Sequence, residues 1–99
     1  MNMQALMQQA QKMQKDMTKK QNELASKEFT GTSELVDIKV KGDKKLVSVN
    51  IKVDGPIDSE DKEILQDMIV LAFNDAMNQV NKEQEKILGP YANQLGGLF

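Results

Sequence analysis

The chain has 99 residues, which is enough for one small domain, and its net charge at pH 7 is −2. It contains no Cys and no His, so disulfides, thiolate metal sites, cysteine nucleophiles and histidine proton transfer are excluded. The charge is divided unevenly, because residues 1–53 carry ten Lys against six acidic residues and residues 54–99 carry three Lys against nine.

The first predicted element is a long helix over residues 2–27, a stretch of good helix formers without Gly or Pro. Its apolar residues follow one another in steps of three and four, a spacing typical of a coiled-coil seam, with Lys20 in the one step that lacks an apolar residue. They are Met3, Leu6, Ala10, Met13, Met17 and Leu24. The seam could pack on the helix's own domain or on a partner, and the sequence leaves both interpretations open.

Residues 28–53 change to the period of two that is typical of strands. Two clear strands lie within residues 35–42 and 45–53, a weaker one lies at residues 29–33, and Gly42 and Asp43 predict a hairpin turn. The pattern predicts a three-stranded antiparallel meander with one apolar face and one polar, Lys-bearing face. The apolar face of the two clear strands consists of Val36, Ile38, Val40, Val47, Val49, Ile51 and Val53.

A second long helix is predicted from about Ser59 to Leu88, ending at Gly89 and Pro90. We therefore predict one domain over residues 1–88 and a Gly-rich, flexible tail over residues 89–99. The N-terminus lacks the features of a signal peptide, and no apolar stretch approaches the roughly 20 residues that a membrane span needs. The expectation is a soluble cytoplasmic protein without membrane contact.

The second helix contains six consecutive apolar residues, 68–73, whereas a helix lying on one sheet needs only an apolar stripe. The side chains that can cover the sheet are Ile64, Leu65, Met68, Ile69, Ala72 and Ala76. Both helices are also longer than the diameter of a compact domain of this size, so they must project from it or bend. We predict that a second copy of the chain covers the remaining apolar side chains in a homodimer. The predicted interface residues are Met68, Val70, Leu71, Phe73 and Met77.

Residues suited to catalysis or metal binding do not converge in this sequence. The carboxylates of Asp58, Glu60, Asp61 and Glu63 lie at a predicted helix N-terminus, where the helix dipole accounts for them. Asp67 and Asp75 lack a third ligand, and no phosphate-binding glycine motif is present. We predict a protein that is not an enzyme and has no catalytic residue, metal, cofactor or small-molecule substrate.

Three groups of lysines are candidates for contact with an anionic partner. Lys12, Lys15 and Lys19 form one stripe on the first helix, with Lys20 beside it, and could be either a solvated face or a phosphate-binding surface. Lys82 and Lys86 form a weaker patch on the second helix, diluted by Glu83 and Glu85. The third group is Lys39, Lys41 and Lys52 on the polar face of the sheet.

The polar pair Asn74 and Asp75 lies at the edge of the apolar run of the second helix. One interpretation is a contact with DNA or another ligand. The other is a hydrogen bond across the dimer or to a nearby strand or loop, which would satisfy a partly buried polar pair. The second interpretation is the more common one for such pairs, and we favour it.

The order of elements, with AQKMQ in the first helix, TG at residues 30–31 and DKEILQDMIVLAFNDAMNQV in the second helix, resembles the YbaB/EbfC family of bacterial nucleoid-associated proteins. The resemblance covers about residues 3–88, and its most specific parts are residues 61–63 and 72–76. It implies an α+β protomer of order α-β-β-β-α and a tweezer-shaped homodimer with protruding helical arms. It also implies binding to double-stranded DNA with little sequence preference.

The function expected from the resemblance and the lysines is a nucleoid-associated homodimer that contacts the DNA backbone, bridges or bends the duplex, and affects nucleoid organisation and gene expression. The first helix supplies the main predicted DNA contacts. The chain departs from the family in having no Arg, which argues against specific base readout, and in having Thr32, Ser33 and Glu34 where small residues and glycines are common. The alternative is a dimeric protein-interaction adaptor with little or no DNA binding, which the acidic pI of about 5.1 favours.

Overall fold

The structure, a computed structural model, describes the backbone of residues 2–95 and the side chains of residues 2–90. It contains helix α1 (Met3–Ser26), strands β1 (Glu28–Thr32), β2 (Val36–Lys41) and β3 (Leu46–Ile51), and helix α2 (Lys62–Leu95). The strands form one antiparallel sheet in the order β1-β2-β3. The predicted α-β-β-β-α order and the three-stranded meander are therefore confirmed.

Helix α1 begins and ends close to the predicted positions. The Oδ1 atom of Asn2 accepts a hydrogen bond from the backbone N–H of Gln4 at 3.0 Å and caps the N-terminus. At the other end the N–H of Lys27 donates to the carbonyl of Leu24 at 3.1 Å. Leu24 is the buried residue of α1, and most of the helix is exposed. Only the C-terminal end of α1 is thus anchored by burial.

Strand β3 contains a bulge that the sequence pattern did not predict. Lys39 pairs with Ser48 and Val40 pairs with Leu46, so Val47 is the extra residue. Paired residues point to the same side of a sheet, and Leu46 therefore shares a face with Val40 in the position predicted for Val47. The pattern of alternation could not reveal the bulge, because Leu46 and Val47 are both apolar.

Helix α2 packs over β1 and β2 and leaves β3 uncovered. The core that forms between α2 and β2 contains Leu65, Ala72, Ala76, Val80, Val36, Ile38 and Val40. Apolar side chains on α2 that miss this core are exposed, among them Ile64, Val70, Leu71 and Phe73. The prediction that Val70, Leu71, Phe73 and Met77 point away from the sheet is confirmed for the first three and wrong for Met77, which packs against the core. The placement of Ile64 on the sheet is also wrong.

Ile64 is exposed because α2 covers only part of the sheet. The covered part is narrow, so only a narrow apolar stripe of the helix packs on it. Met68 and Met77 pack against the protomer's own core as partly buried residues. The apolar surface that is free on α2 is therefore centred on Val70, Leu71 and Phe73.

The predicted end of the second helix at Gly89 and Pro90 is wrong, because α2 continues to Leu95 with Pro90 inside it. Proline has a helical φ angle, although it removes one intrahelical hydrogen bond and its ring crowds the carbonyl of the residue four positions earlier. The residue before a proline is normally restricted by a clash that involves its Cβ, and Gly89 has none. The domain boundary at residue 88 stays a prediction, and residues 96–99 of the predicted tail lie outside the described residues.

The protein is elongated, with principal extents of 70 × 21 × 14 Å and a radius of gyration of 19.8 Å. A compact domain of this length has a radius of gyration of about 13 Å, so the predicted projection of the helices is confirmed. No helix in the described part of the chain has the length and apolarity required to cross a membrane.

Candidate nucleic-acid interface

The lysines of α1 lie on a helix that projects from the rest of the protein and is exposed over most of its length. The side chains of Lys12, Lys15, Lys19 and Lys20 are all exposed. Within the described side chains, the three ion pairs are Lys27–Glu83, Lys39–Glu28 and Lys52–Asp37, so none of the four α1 lysines is engaged in one. Residues 12 and 19 are about 10 Å apart along the helix axis. The structure therefore presents these ammonium groups to solvent as predicted.

Two lysines of the sheet's polar face form ion pairs with carboxylates. Lys39 Nζ lies 3.6 Å from Glu28 Oε2, and Lys52 Nζ lies 3.1 Å from Asp37 Oδ1. Lys52 Nζ also donates to the carbonyl of Ser33 at 3.1 Å. Exposed ion pairs contribute little stability, but each carboxylate cancels a positive charge that a phosphate would otherwise meet. Two of the three lysines on the sheet's polar face are thus paired with carboxylates, whereas Lys41 forms none of the ion pairs among the described side chains.

The lysines of α2 lie beside an ion pair that joins α2 to the end of α1. Lys27 Nζ donates to Glu83 Oε1 at 3.0 Å. This hydrogen bond, together with the positive charges of Lys27 and Lys86, lowers the pKa of Glu83 from its ordinary value of 4.5. Glu83 therefore stays ionised next to Lys82 and Lys86, as the predicted dilution of that patch requires.

Breaking the Lys27–Glu83 pair should make stability less sensitive to acid. Because the folded pKa of Glu83 is lowered, its contribution is complete above the ordinary value of 4.5 and is lost as pH falls through the folded pKa. Lys27→Met should lower the melting temperature near neutral pH and have no effect in strong acid, where Glu83 is protonated. Melting curves across this range test it, and an equal loss at every pH would contradict the assignment.

Residues 72–76 of α2 pack against β1 and help to protect the open edge of that strand. The N–H of Thr32 donates to Asp75 Oδ2 at 3.0 Å, and Gln79 Nε2 donates to the carbonyl of Thr30 at 2.8 Å. Both backbone groups lie on the open edge of β1, which α2 thus shields from pairing with other strands. The interpretation of Asp75 as a structural hydrogen-bonding residue is confirmed. Gln79 was not predicted, because nothing in the sequence links it to a strand 49 residues away.

The acidic residues at the start of α2 act on the backbone. Asp58 Oδ1 accepts a hydrogen bond from the N–H of Glu60 at 2.9 Å, which stabilises the turn that precedes α2. Among the described residues, no three His, Cys, Asp or Glu side chains are grouped so that they could hold a metal ion.

The turn between β2 and β3 carries lysines that the sequence analysis did not single out. Lys44 and Lys45 are exposed, and with Lys41 they place three lysines within five residues. That density was the available signal.

The chain is similar to known proteins over nearly its whole length. A family model described as the YbaB/EbfC DNA-binding family matches residues 1–95. A nucleoid-associated protein of Streptococcus agalactiae (serotype III) is 50% identical over 97 residues, which is 96% of this chain and 97% of the relative. A nucleoid-associated protein of Streptococcus pyogenes (serotype M5) is 48% identical over the same shares of both chains. The crystal structure of an uncharacterized protein from Helicobacter pylori has a TM-score of 0.74 at 23% identity, over 92% of this chain and 97% of that one, and so shares the fold.

Proposed function

The chain belongs to the YbaB/EbfC DNA-binding family, and from that membership we propose that it is a non-enzymatic, nucleoid-associated protein that binds double-stranded DNA. The relatives at about 50% identity are named nucleoid-associated proteins and align over nearly their whole length. The proposal places the protein in the bacterial nucleoid.

The observation that carries the proposal is the set of free lysines on the projecting α1. Phosphate contacts need mobile cations and no base-specific geometry, and Lys supplies them. The chain has no Arg, the residue that most often reads guanine through paired hydrogen bonds. We therefore propose that binding is directed to the DNA backbone and has little sequence preference. Lys82 and Lys86 are proposed as secondary contacts.

A homodimer is the second part of the proposal. Val49 and Ile51 pair with Ile38 and Val36, so they lie on the sheet face that α2 covers over the neighbouring strands. They are nevertheless 43% and 41% exposed. The α2 helix of a second copy fits this uncovered half of the sheet. A two-fold arrangement would place each α2 on the partner's β3 and would bury both apolar surfaces at once.

The proposed dimer determines how the DNA-binding helices are arranged. Two α1 helices would project from one body as arms, and each would carry the same lysines. The arms could hold one duplex between them or join two segments, and bridging or bending of DNA follows from either arrangement. We propose Met68, Val70, Leu71, Phe73 and Met77 as interface residues, the two methionines at its inner margin where they also touch the protomer core.

Gel retardation with several unrelated duplexes, at low and moderate salt, tests the proposed function. Binding to all duplexes with similar affinity at low salt, weakening steeply at moderate salt, is the expected result. A protein-interaction adaptor with the same apolar surfaces would shift no duplex even at low salt. That outcome would reject DNA binding and favour the adaptor.

Removing the lysine stripe of α1 should weaken binding to every duplex alike. Lys12→Gln, Lys15→Gln and Lys19→Gln together delete about six phosphate contacts from a dimer, so the log–log salt slope should become shallower by about 5. This is an upper limit, since all six need not bind at once. The melting temperature should be unchanged, because these side chains are exposed and outside the ion pairs described above.

The matched control removes the same charge from other surfaces. Lys39→Gln, Lys52→Gln and Lys62→Gln together take three positive charges per subunit from the sheet face and the acidic end of the molecule. Salt titrations of both triple variants, on the same duplex, should show loss only in the α1 variant. Loss in the control with retention in the α1 variant would move the DNA site away from α1, to the sheet face or the start of α2.

A further inference from the structure

The turn between β2 and β3 holds a lysine in a backbone conformation that suits glycine. Lys44 has φ = 71°, and it is the non-glycine residue with positive φ in the described chain. It occupies the last position of a three-residue loop, Gly42 to Lys44, where Gly is preferred because a Cβ crowds the backbone. The chain thus keeps Lys at a position where Gly would be less strained.

The folded protomer makes no visible use of the Lys44 side chain. The turn is closed by backbone groups, because the N–H of Lys44 donates to the carbonyl of Lys41 at 2.8 Å and the N–H of Lys41 donates to the carbonyl of Lys45 at 2.9 Å. The carboxylate of Asp43 accepts from the N–H of Lys45 at 3.0 Å. The ammonium group of Lys44 has no carboxylate within 4.0 Å among the described side chains.

The turn is fixed against the base of α1. The N–H of Gly42 donates to the carbonyl of Lys27 at 2.9 Å. A Cβ at Gly42 would lie only 1.8 Å from the carbonyl oxygen of Leu24, so the turn and the helix end are in direct backbone contact. The nearby ammonium of Lys27 is already bonded to Glu83. The lysines available at this place are therefore those of the turn.

We propose that the β2–β3 turn is a second phosphate-binding point at the base of each arm, and that Lys44, supported by Lys41 and Lys45, makes the contact. The inference rests on the proposed function, since it needs duplex DNA lying along α1. A duplex that lies along α1 presents phosphates over the whole length of the arm, including the end where the turn sits. The strained backbone at Lys44 then serves DNA binding, and unusual backbone conformations are common at binding sites.

The test is Lys44→Gly, which separates stability from binding. Gly relieves the strained backbone, so the variant should melt at the same temperature as the original protein or up to about 5 °C higher. Loss of one phosphate contact per subunit makes the log–log salt slope shallower by about 1.8 for a dimer. The variant should therefore bind DNA more weakly than the original protein at low salt. The ratio of the two affinities should become about tenfold smaller between 50 and 200 mM salt. Lys44→Asn should behave like Lys44→Gly, and Lys44→Arg should retain binding.

The control is Lys62→Gln, which removes the same charge at the far, acidic start of α2. Equal loss of binding in Lys62→Gln and Lys44→Gly would mean that net charge alone matters and would overturn the inference. Unchanged affinity and slope in Lys44→Gly, with normal binding by the original protein, would also overturn it and leave the proposed function intact. Absence of binding by the original protein would instead reject the proposed function itself.

Discussion

Replacing Gly31 with Ala should lower the melting temperature by more than about 10 °C. The added Cβ would lie 2.0 Å from the carbonyl oxygen of Ala72, 2.5 Å from the nitrogen of Ala76 and 2.8 Å from the Cβ of Ala76. Two of these atoms belong to the backbone of α2, so no side-chain rotation relieves the clash. The helix must move away from β1, which costs roughly 1–3 kcal/mol or more in a packed core.

The same displacement should break the hydrogen bonds that join α2 to the edge of β1. Asp75 to Thr32 and Gln79 to Thr30 span 3.0 and 2.8 Å, and each contributes about 1 kcal/mol. Circular dichroism melting and urea unfolding measure the total loss. Thr32→Ala is the matched control, because it changes the neighbouring strand position and keeps the backbone N–H that Asp75 accepts from. A Gly31→Ala protein that melts within a few degrees of the original would contradict the close approach of α2 to β1.

This contact explains two of the sequence segments that carry the family resemblance. Residues 30–31 and residues 72–76 are far apart in the chain, yet Gly31 is the point where α2 lies directly on the strand. Ala72 and Ala76 are one helical turn apart and are small enough to allow that approach. The sequence alone identified both segments but could not pair them, because nothing local shows which strand residue faces which turn of a helix.

The elements themselves were predictable because their periods are local properties of the chain. Alternating residues in β2 and the absence of Gly and Pro in α1 were sufficient for their positions. Features set by competition between local and long-range forces were missed: the bulge at Val47, the continuation of α2 through Pro90, and the exposure of Ile64. The exposure of Ile64 depends on how much of the sheet α2 covers, and the bulge depends on the pairing of β3 with β2; the hydrophobic pattern encodes neither.

The lysines of the candidate DNA-binding surface were also predictable where their arrangement is local and hidden where it depends on the fold. The stripe of Lys12, Lys15 and Lys19 could be predicted, since helix geometry alone aligns residues three and four apart. Which sheet lysines are neutralised depends on strand register, and the pairs with Glu28 and Asp37 became visible only in the folded chain. The conformation of Lys44 was also hidden, because its positive φ follows from the length of the loop as it closes between the two strands.

Leu71→Asp should convert a dimer into monomers or unfolded chains. Leu71 is 56% exposed in the single chain, as is Val70, and the proposed interface would bury it against the partner. An unpaired carboxylate in an apolar interface is strongly unfavourable. Sedimentation velocity, together with circular dichroism, should show loss of the dimer. Asn81→Asp is the control, since it adds the same charge at an exposed position of α2 beyond the apolar segment and should leave the dimer intact.

A second variant distinguishes which surfaces meet in the dimer. If each α2 lies on the partner's β3, Val49→Asp should dissociate the dimer as Leu71→Asp does, although Val49 is on a different element. A Val49→Asp protein that still sediments as a dimer would restrict the interface to α2, and a folded Leu71→Asp dimer would remove α2 from it. Folded monomers would carry one arm each, so the number of phosphates contacted at once should fall by half. Their salt slope for DNA binding should then be about half that of the dimer, which links the apolar surface to the proposed function.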